Sequence, residues 1–226
     1  MTSTPAQEYL DQTLDPESWE ELRQLGHQMI DDLFNDLASL RDQPVWRPLL
    51  DEVYSELTAS QPPLEPQGAP AAYADFRRLV APYPRGNNHP RFWGWVNGSS
   101  LPLGILADLL ASALNPSVSS FENAANLVEE QVLSWLKTML GFPPTTSAVL
   151  TSGTSMSNLI SLAVARHAKA SGSLRQHGLS AQTARMTIYC STETHSSVQK
   201  AVELLGLGSE SLRRLPVRDD YTLDLD

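Results

Sequence analysis

The 226-residue sequence is poor in basic residues. It has 16 lysines and arginines against 26 aspartates and glutamates, which gives a formal net charge of −10 at pH 7. No basic run is present that could follow a phosphate backbone. We therefore expect no nucleic acid among the partners of this protein.

Cysteines and long apolar runs are also scarce. The single Cys190 has no second cysteine with which to form an intramolecular disulfide, so we expect a reducing compartment, the cytoplasm. The polar, acidic N-terminus has no apolar signal-peptide core, and no apolar run is long enough to cross a bilayer. We expect neither secretion nor a membrane partner.

Several motifs that carry chemistry are missing. The five histidines are scattered and Cys190 stands alone, so no zinc spacing is present and we expect no metal. The G-x-S-x-G motif of many hydrolases is absent. The segment 151–158, TSGTSMSN, lacks the Gly-Lys-Ser/Thr ending of a nucleotide phosphate loop, and its one glycine is too few for a dinucleotide fingerprint.

The N-terminal third reads as a helical arm. Asp15 and Pro16 favour a helix start, and apolar residues recur at three- and four-residue steps from Trp19 to Leu40. This stripe needs a surface to pack against, either in the same chain or in a second subunit. Four prolines in 61–70 predict an extended connector, and a short helix is expected within 71–80. We place a domain boundary near residue 85.

After residue 90, strand-like and helical segments alternate, which predicts an α/β fold with a mostly parallel sheet flanked by helices. Ligands bind such sheets beyond the carboxyl ends of the strands. The predicted strands are 91–97, 147–150, 186–191 and 211–217, and the predicted helices are 102–114, 122–140 closing at Gly141, 155–170 and 196–205.

Two loops at that sheet edge are candidate binding segments. Gly153 can adopt backbone angles closed to other residues, and Thr154 and Ser155 fall at a helix start, where free N–H groups favour an anion such as phosphate. A plain helix cap formed by Ser152 or Thr154 is the alternative. His195 follows the strand 186–191 and either faces a ligand in the same crevice or is a hydrogen-bonded side chain without a reactive role.

An aromatic cluster occupies 91–95, the sequence RFWGW. Aromatic side chains of this kind either belong to the core or form the wall of a pocket for an apolar or aromatic ligand.

Four segments in this order resemble the pyridoxal-phosphate-dependent group II amino acid decarboxylases, the family of aromatic-L-amino-acid, histidine and glutamate decarboxylases. The likeness covers residues from about 85 to 226 well and the N-terminal helix more loosely. It implies the large domain of the aspartate-aminotransferase-like fold (PLP fold type I), incomplete in this chain at 86–226, preceded by a helical, dimerising arm at 1–85. The segments are 89–116, 122–143, 151–170 and 187–207.

The resemblance also implies roles for individual residues. Gly153, Thr154 and Ser155 match the positions that hold the phosphate of pyridoxal 5'-phosphate, and His195 matches the histidine that stacks on its ring near the substrate. Trp95 and either Asn97 or Gly98 match the segment that lines the substrate pocket. The implied enzyme is a homodimeric lyase that decarboxylates an L-amino acid, with an aromatic substrate favoured by the tryptophans.

The family's Schiff-base lysine is expected beyond Asp226, because Lys137, Lys169 and Lys200 lie on predicted amphipathic helices as solvated charges. We therefore expect the 226 residues alone to be inactive. An aminotransferase or another lyase on the same fold remains an alternative, as does a catalytically silent dimerising or binding module.

Overall fold

The computed structural model describes residues 15–59, 64–119, 123–170, 174–179 and 186–225. The chain divides into two compact units, Met1–Pro116 and Ser117–Asp226, and each is described by itself. The boundary predicted near residue 85 concerns function, since it divides a dimerising arm from a cofactor-binding domain. That boundary stays a prediction. The polar N-terminus, the start of the proline-rich connector and Glu122 lie outside the described residues.

Helices form the regular structure of the described part of unit 1. A 3₁₀ turn at Leu40–Asp42 follows the first helix, and a π-helical turn at Phe76–Val80 continues the third. The short helix expected within 71–80 and the helix 102–114 are thereby confirmed. The helices are α1 Trp19–Ser39, α2 Asp51–Ala59, α3 Ala69–Asp75 and α4 Pro102–Leu114.

The start of α1 differs from the prediction. Ser18, and not Asp15, is the N-cap, and its side chain accepts a hydrogen bond of 3.2 Å from the backbone N–H of Glu21. A serine hydroxyl three residues before a free N–H satisfies that donor and so fixes the first turn. The helix therefore begins three residues later than Pro16 suggested.

Polar contacts fasten α1 to α3 and the π-helical turn. The Tyr73 hydroxyl donates to Asp32 at 2.7 Å, and Arg77 forms an ion pair with Asp36, one helical turn further along both segments. Burial and the bond to Asp32 both raise the pKa of the Tyr73 hydroxyl. Part of the apolar stripe of α1 lines a cavity of about 1000 Å³ within unit 1, whereas Trp19 is exposed.

The strand expected at 91–97 is not formed. Trp95 has φ +55°, a left-handed conformation that interrupts an extended segment. The loop before it is anchored by His89, which is buried: its Nδ1 accepts from the N–H of Arg91 at 3.0 Å, so its Nε2 carries the proton and donates to the Gln43 carbonyl at 3.0 Å. This part of unit 1 is an ordered loop.

Unit 2 contains the sheet. β1 and β2 pair in parallel, with Ile188 opposite Leu212 and Ser191 opposite Leu215, as the alternation of strands and helices predicted. Gly141 adopts φ +73° just past the end of α5, which confirms the expected left-handed stop. The elements are α5 Ala124–Met139, α6 Thr154–Lys169, α7 Leu174–His177, β1 Ile188–Ser191, α8 Ser196–Leu204, a 3₁₀ turn Ser209–Ser211 and β2 Leu212–Leu215.

The strand expected at 147–150 is also absent. Among the described residues β1 and β2 pair only with each other, so this segment has no strand beside it to complete a ladder of hydrogen bonds. Val149 and Leu150 are more than half exposed, at 58% and 54%. The candidate loop 151–155 therefore follows an unpaired segment and still leads directly into α6.

Helices α6 and α8 run parallel, side by side. At their first turns the Asn158 amide donates to the Ser197 hydroxyl at 2.9 Å. Near their last turns Arg166 Nη1 donates to the Leu205 carbonyl at 2.7 Å. The N-terminus of α6 therefore lies beside the N-terminus of α8, and their C-termini lie together at the other end. The loops that precede the two helices lie at one end of this pair, and the buried side chains of α8 include Ala201 and Val202.

In the part of the chain that the structure describes, no helix combines the length and the apolar character that a membrane span requires. Likewise, the described residues contain no group of three or more histidine, cysteine, aspartate or glutamate side chains arranged to hold a metal ion.

Candidate functional site

The first turn of α6 is open to a ligand. Its N-cap is Gly153, and no side chain caps it, so the alternative of a plain cap by Ser152 or Thr154 is wrong. Gly153 adopts φ 158° and ψ 167°, a region that essentially only glycine occupies. The N–H groups of Thr154 and Ser155 donate no hydrogen bond to any described residue. Unpaired donors at a helix N-terminus favour an anion.

Two hydroxyl residues that were not predicted from the sequence hold this loop in place. Thr151 donates to the carbonyl of Gly153 at 3.1 Å, and its hydroxyl lies 2.7 Å from that of Ser157. These contacts use the hydroxyls that flank the loop and leave those of Thr154 and Ser155 exposed. A Cβ placed on Gly153 would meet no atom within 4 Å, so the space above the loop is open.

His195 lies at the start of α8, at the same end of the helix pair. It is the N-cap residue, and its Nδ1 accepts a hydrogen bond from the backbone N–H of Ser197 at 3.2 Å. The Ser197 hydroxyl lies 2.9 Å from the same nitrogen and is buried. The structure therefore brings His195 and the loop 153–155 to one end of α6 and α8.

The contact between Ser197 and His195 does not form a hydrolase site. Ser197 is only 4% exposed, and the amide of Asn158 already donates to its hydroxyl. A nucleophile must reach its substrate, and this hydroxyl is enclosed between two helices. The pair serves to hold the ring of the histidine.

Trp95, Asn97 and Gly98, the predicted substrate-pocket residues, are all exposed and belong to unit 1. The guanidinium of Arg85 lies 4.0 Å from the centre of the Trp95 ring, a cation–π contact. The side-chain amide of Asn87 donates to the Gly98 carbonyl at 2.9 Å. The loop 84–90 thus fixes both ends of the segment.

The tryptophans of this segment are surface residues. Trp93 is 92% exposed and Trp95 is 74% exposed, so the interpretation of these two as core residues is wrong. Large exposed aromatic rings in one short segment are typical of a surface that contacts a ligand or another protein surface.

One of the three lysines predicted to be solvated charges is not fully solvated. Lys137 is half-buried, and its Nζ donates to the carbonyls of Thr146 at 3.1 Å and of Pro144 at 3.3 Å. Lys169 and Lys200 are exposed, as predicted. The ammonium of Lys137 therefore stabilises the turn after α5.

Comparison with known proteins gives a consistent family. Residues 54–225 match the family described as the pyridoxal-dependent decarboxylase conserved domain. The chain is 33% identical to an aromatic-L-amino-acid decarboxylase of Bacillus atrophaeus over 202 residues, which cover 88% of this chain and 40% of that protein. It is 31% identical to a tyrosine decarboxylase of Oryza sativa subsp. japonica, over 97% of this chain and 42% of that protein.

A solved structure shares the fold as well. The crystal structure of Oryza sativa TDC with PLP and tryptamine superposes with a TM-score of 0.79 at 26% identity, covering 94% of this chain and 45% of that one. The chain thus spans about two fifths of the length of the curated relatives it matches.

Proposed function

Because this chain belongs to the pyridoxal-dependent decarboxylase family, we propose that it supplies part of the active site of an enzyme that decarboxylates an L-amino acid with pyridoxal 5'-phosphate. The observation that carries the proposal is the parallel pairing of α6 and α8. It brings an open helix N-terminus and an anchored imidazole to one end of the pair.

Gly153, Thr154 and Ser155 fit a phosphate. The two unpaired N–H groups of Thr154 and Ser155 point from a helix start, and the exposed hydroxyls can add two further donors. The absence of a side chain on Gly153 leaves space for an anion against the backbone. These residues would bind the phosphate and fix the position of one end of the cofactor.

His195 would lie against the ring of the cofactor. Pyridoxal 5'-phosphate, when bound, supplies an electron-accepting ring for the electron pair of the bond to the departing carboxylate. The part of His195 is to orient that ring and to exclude water from one of its faces. Its anchored Nδ1 leaves Nε2 free to meet the cofactor or substrate.

We favour an aromatic substrate. The relatives named above are an aromatic-L-amino-acid decarboxylase and a tyrosine decarboxylase, and the exposed Trp95 would offer a flat apolar wall to such a side chain. Asn97 and Gly98 would line the same pocket. An aminotransferase or another lyase on this fold remains the alternative, and no observation on this chain favours it.

Homodimerisation and a cytoplasmic location belong to the proposal as finer points. Exposed apolar side chains such as Trp93, Leu103 and Leu114 support a subunit contact, and the free Cys190 supports a reducing compartment. Sedimentation of the full-length protein and fractionation of its native cells test these two points.

The test of the function is a product assay on the full-length protein. We expect pyridoxal phosphate to bind with a visible absorbance band, and we expect aromatic amino acids to yield CO₂ and the corresponding amine. A keto acid in place of the amine would favour the aminotransferase, and failure to bind the cofactor would contradict the proposal. The 226-residue chain assayed alone serves as the control and should release no CO₂.

A further inference from the structure

A continuous chain of hydrogen bonds connects α6 to the imidazole of His195. The amide Nδ2 of Asn158 donates to Ser197 Oγ at 2.9 Å, and Ser197 Oγ lies 2.9 Å from His195 Nδ1. The backbone N–H of Ser197 donates to the same Nδ1 at 3.2 Å. Each group in this chain is partnered, and Ser197, its centre, is 4% exposed.

The donors and acceptors in this chain fix the proton of the ring. An N–H group can only donate, so the bond from the Ser197 backbone requires an unprotonated Nδ1. The Asn158 amide occupies a lone pair of Ser197 Oγ, which leaves the hydroxyl proton to point at Nδ1. If the Asn158 amide were rotated by half a turn, its oxygen would accept the proton of the Ser197 hydroxyl. A lone pair of Ser197 Oγ would then face the lone pair of His195 Nδ1, which is unfavourable. The neutral ring therefore carries its proton on Nε2.

We propose that Asn158 and Ser197 are positioning residues that hold the His195 imidazole by Nδ1 and present its Nε2–H at the shared end of α6 and α8. What the ring meets there rests on the proposed function. The way in which the ring is held is a property of these residues alone.

The position of His195 explains why such a hold is needed. The side chain is exposed and caps a helix, so a free imidazole could rotate about its two side-chain torsions. A ring that must lie flat against a ligand binds best when its orientation is already fixed, because each freely rotating bond lowers the fraction of molecules in which the ring has the binding orientation. The two bonds on Nδ1 restrict that rotation without covering Nε2.

The same arrangement couples the ring to the phosphate loop. Thr154 opens α6, and Asn158 lies four residues later, one turn along the same helix. The helix whose N-terminus offers unpaired N–H groups therefore also carries the amide that anchors His195. The spacing between the two binding elements is set by one rigid turn of helix.

The test measures the proton on the ring. Protein labelled with ¹⁵N-histidine is examined by long-range proton–nitrogen correlation without cofactor, at a pH at which ordinary imidazoles are neutral, and a His195→Gln variant assigns the signals. We expect a single tautomer with the proton on Nε2. A proton on Nδ1 in the unaltered protein would overturn the inference.

Variants distinguish a role in positioning the His195 ring from a role in stabilising the fold. Ser197→Ala and the isosteric Asn158→Asp, whose carboxylate draws the Ser197 proton away from the ring, each remove the hydroxyl bond to Nδ1 and leave the backbone bond in place. The Nδ1 shift should therefore move toward that of an imidazole nitrogen with fewer hydrogen bonds, while the proton stays on Nε2. Ser197→Thr should restore the original shifts. The matched control is Ser196→Ala, an exposed neighbour, which should change nothing. Unchanged shifts in both Ser197→Ala and Asn158→Asp would also overturn the inference.

Kinetics on the full-length enzyme give a second reading. Asn158→Asp should lower kcat about 10- to 100-fold with little change in KM, as expected for a displaced catalytic group. If the His195 nitrogen shifts show the proton on Nε2 and respond to the variants but pyridoxal phosphate does not bind, the proposed function is wrong and the positioning role stands. If the cofactor binds and the nitrogen shifts do not respond, only the positioning role fails.

Discussion

Asn158 and Ser197 are 39 residues apart in sequence and are joined by a hydrogen bond of 2.9 Å. The same separation of 39 recurs between Arg166 and Leu205, eight residues further along both helices. Equal steps in the same direction can arise only if α6 and α8 run parallel and in register. This register is what places the loop 153–155 beside the start of α8.

Arg166 should contribute measurably to the stability of unit 2. Its guanidinium donates to the carbonyl of Leu205, one of the groups that a helix end leaves without an intrahelical partner. Arg166→Met should lower the free energy of unfolding by about 1.5–3 kcal/mol, the range for a hydrogen bond to a charged group. Urea unfolding measures this, with Lys169→Met on the exposed surface of α6 as the control. Equal stability of the two variants would show that the bond contributes nothing.

Gly153→Ala should weaken the start of α6. A Cβ has room in space, since no atom lies within 4 Å of it, but the backbone conformation at φ 158° is strained for alanine. We expect a cost of about 1–3 kcal/mol and a matching loss of affinity for pyridoxal phosphate. Gly26→Ala is the contrasting variant, because Gly26 lies inside α1 with open space around it and should gain stability. A Gly153→Ala protein that binds the cofactor normally would contradict the phosphate role.

Replacing His195 should separate cofactor binding from turnover. His195→Ala removes the ring and leaves the N–H groups of Thr154 and Ser155 intact, so we expect the absorbance band of bound pyridoxal phosphate to persist. Decarboxylation should fall by about 100-fold or more, since orientation of the ring is lost. His195→Phe keeps a flat ring without nitrogen atoms and shows whether shape alone is enough. Unchanged activity in His195→Ala would remove this residue from the site.

Acid should weaken the contact between α2 and the π-helical turn. Two hydrogen bonds from Arg78, at 2.6 and 2.8 Å, lower the pKa of Glu56 below its ordinary value. A carboxyl whose folded pKa is depressed stabilises the fold above its unfolded pKa and loses that contribution as the pH falls through the folded pKa. The Tm should therefore decline on acidification, and Glu56→Gln should flatten that decline.

Glu52 provides the control for this pH dependence, since it lies on the same helix and forms no ion pair with the described residues. Glu52→Gln should leave the acid limb of the Tm profile as it is. Two variants with identical profiles would show that the pair of Glu56 and Arg78 does not respond to pH.

The helices of this fold were largely predictable because their signals are local. Pro102 at a first helical position and Gly141 after a last one fix bounds to within a residue or two. The predicted start of α1 was wrong because two residues that can cap a helix, Asp15 and Ser18, lie within four residues of each other. The predicted aspartate-aminotransferase-like class is confirmed by the likeness to solved structures.

Features that depend on distant residues were not predictable in the same way. A strand exists only beside another strand, so the apolar run 147–150 could not reveal that it has no partner among the described residues. The left-handed Trp95 broke an otherwise strand-like run. Nothing local in the sequence marks Asn158 as the group that reaches Ser197, because the contact depends on the register of two helices.

The loop 153–155 and His195 should bind one cofactor at the shared end of α6 and α8, and a crystal structure of the full-length protein with pyridoxal phosphate tests this shared binding. We expect phosphate oxygens at about 2.7–3.2 Å from the N–H groups of Thr154 and Ser155, with the imidazole of His195 against the cofactor ring. A phosphate held elsewhere, or a ring that His195 does not touch, would contradict it.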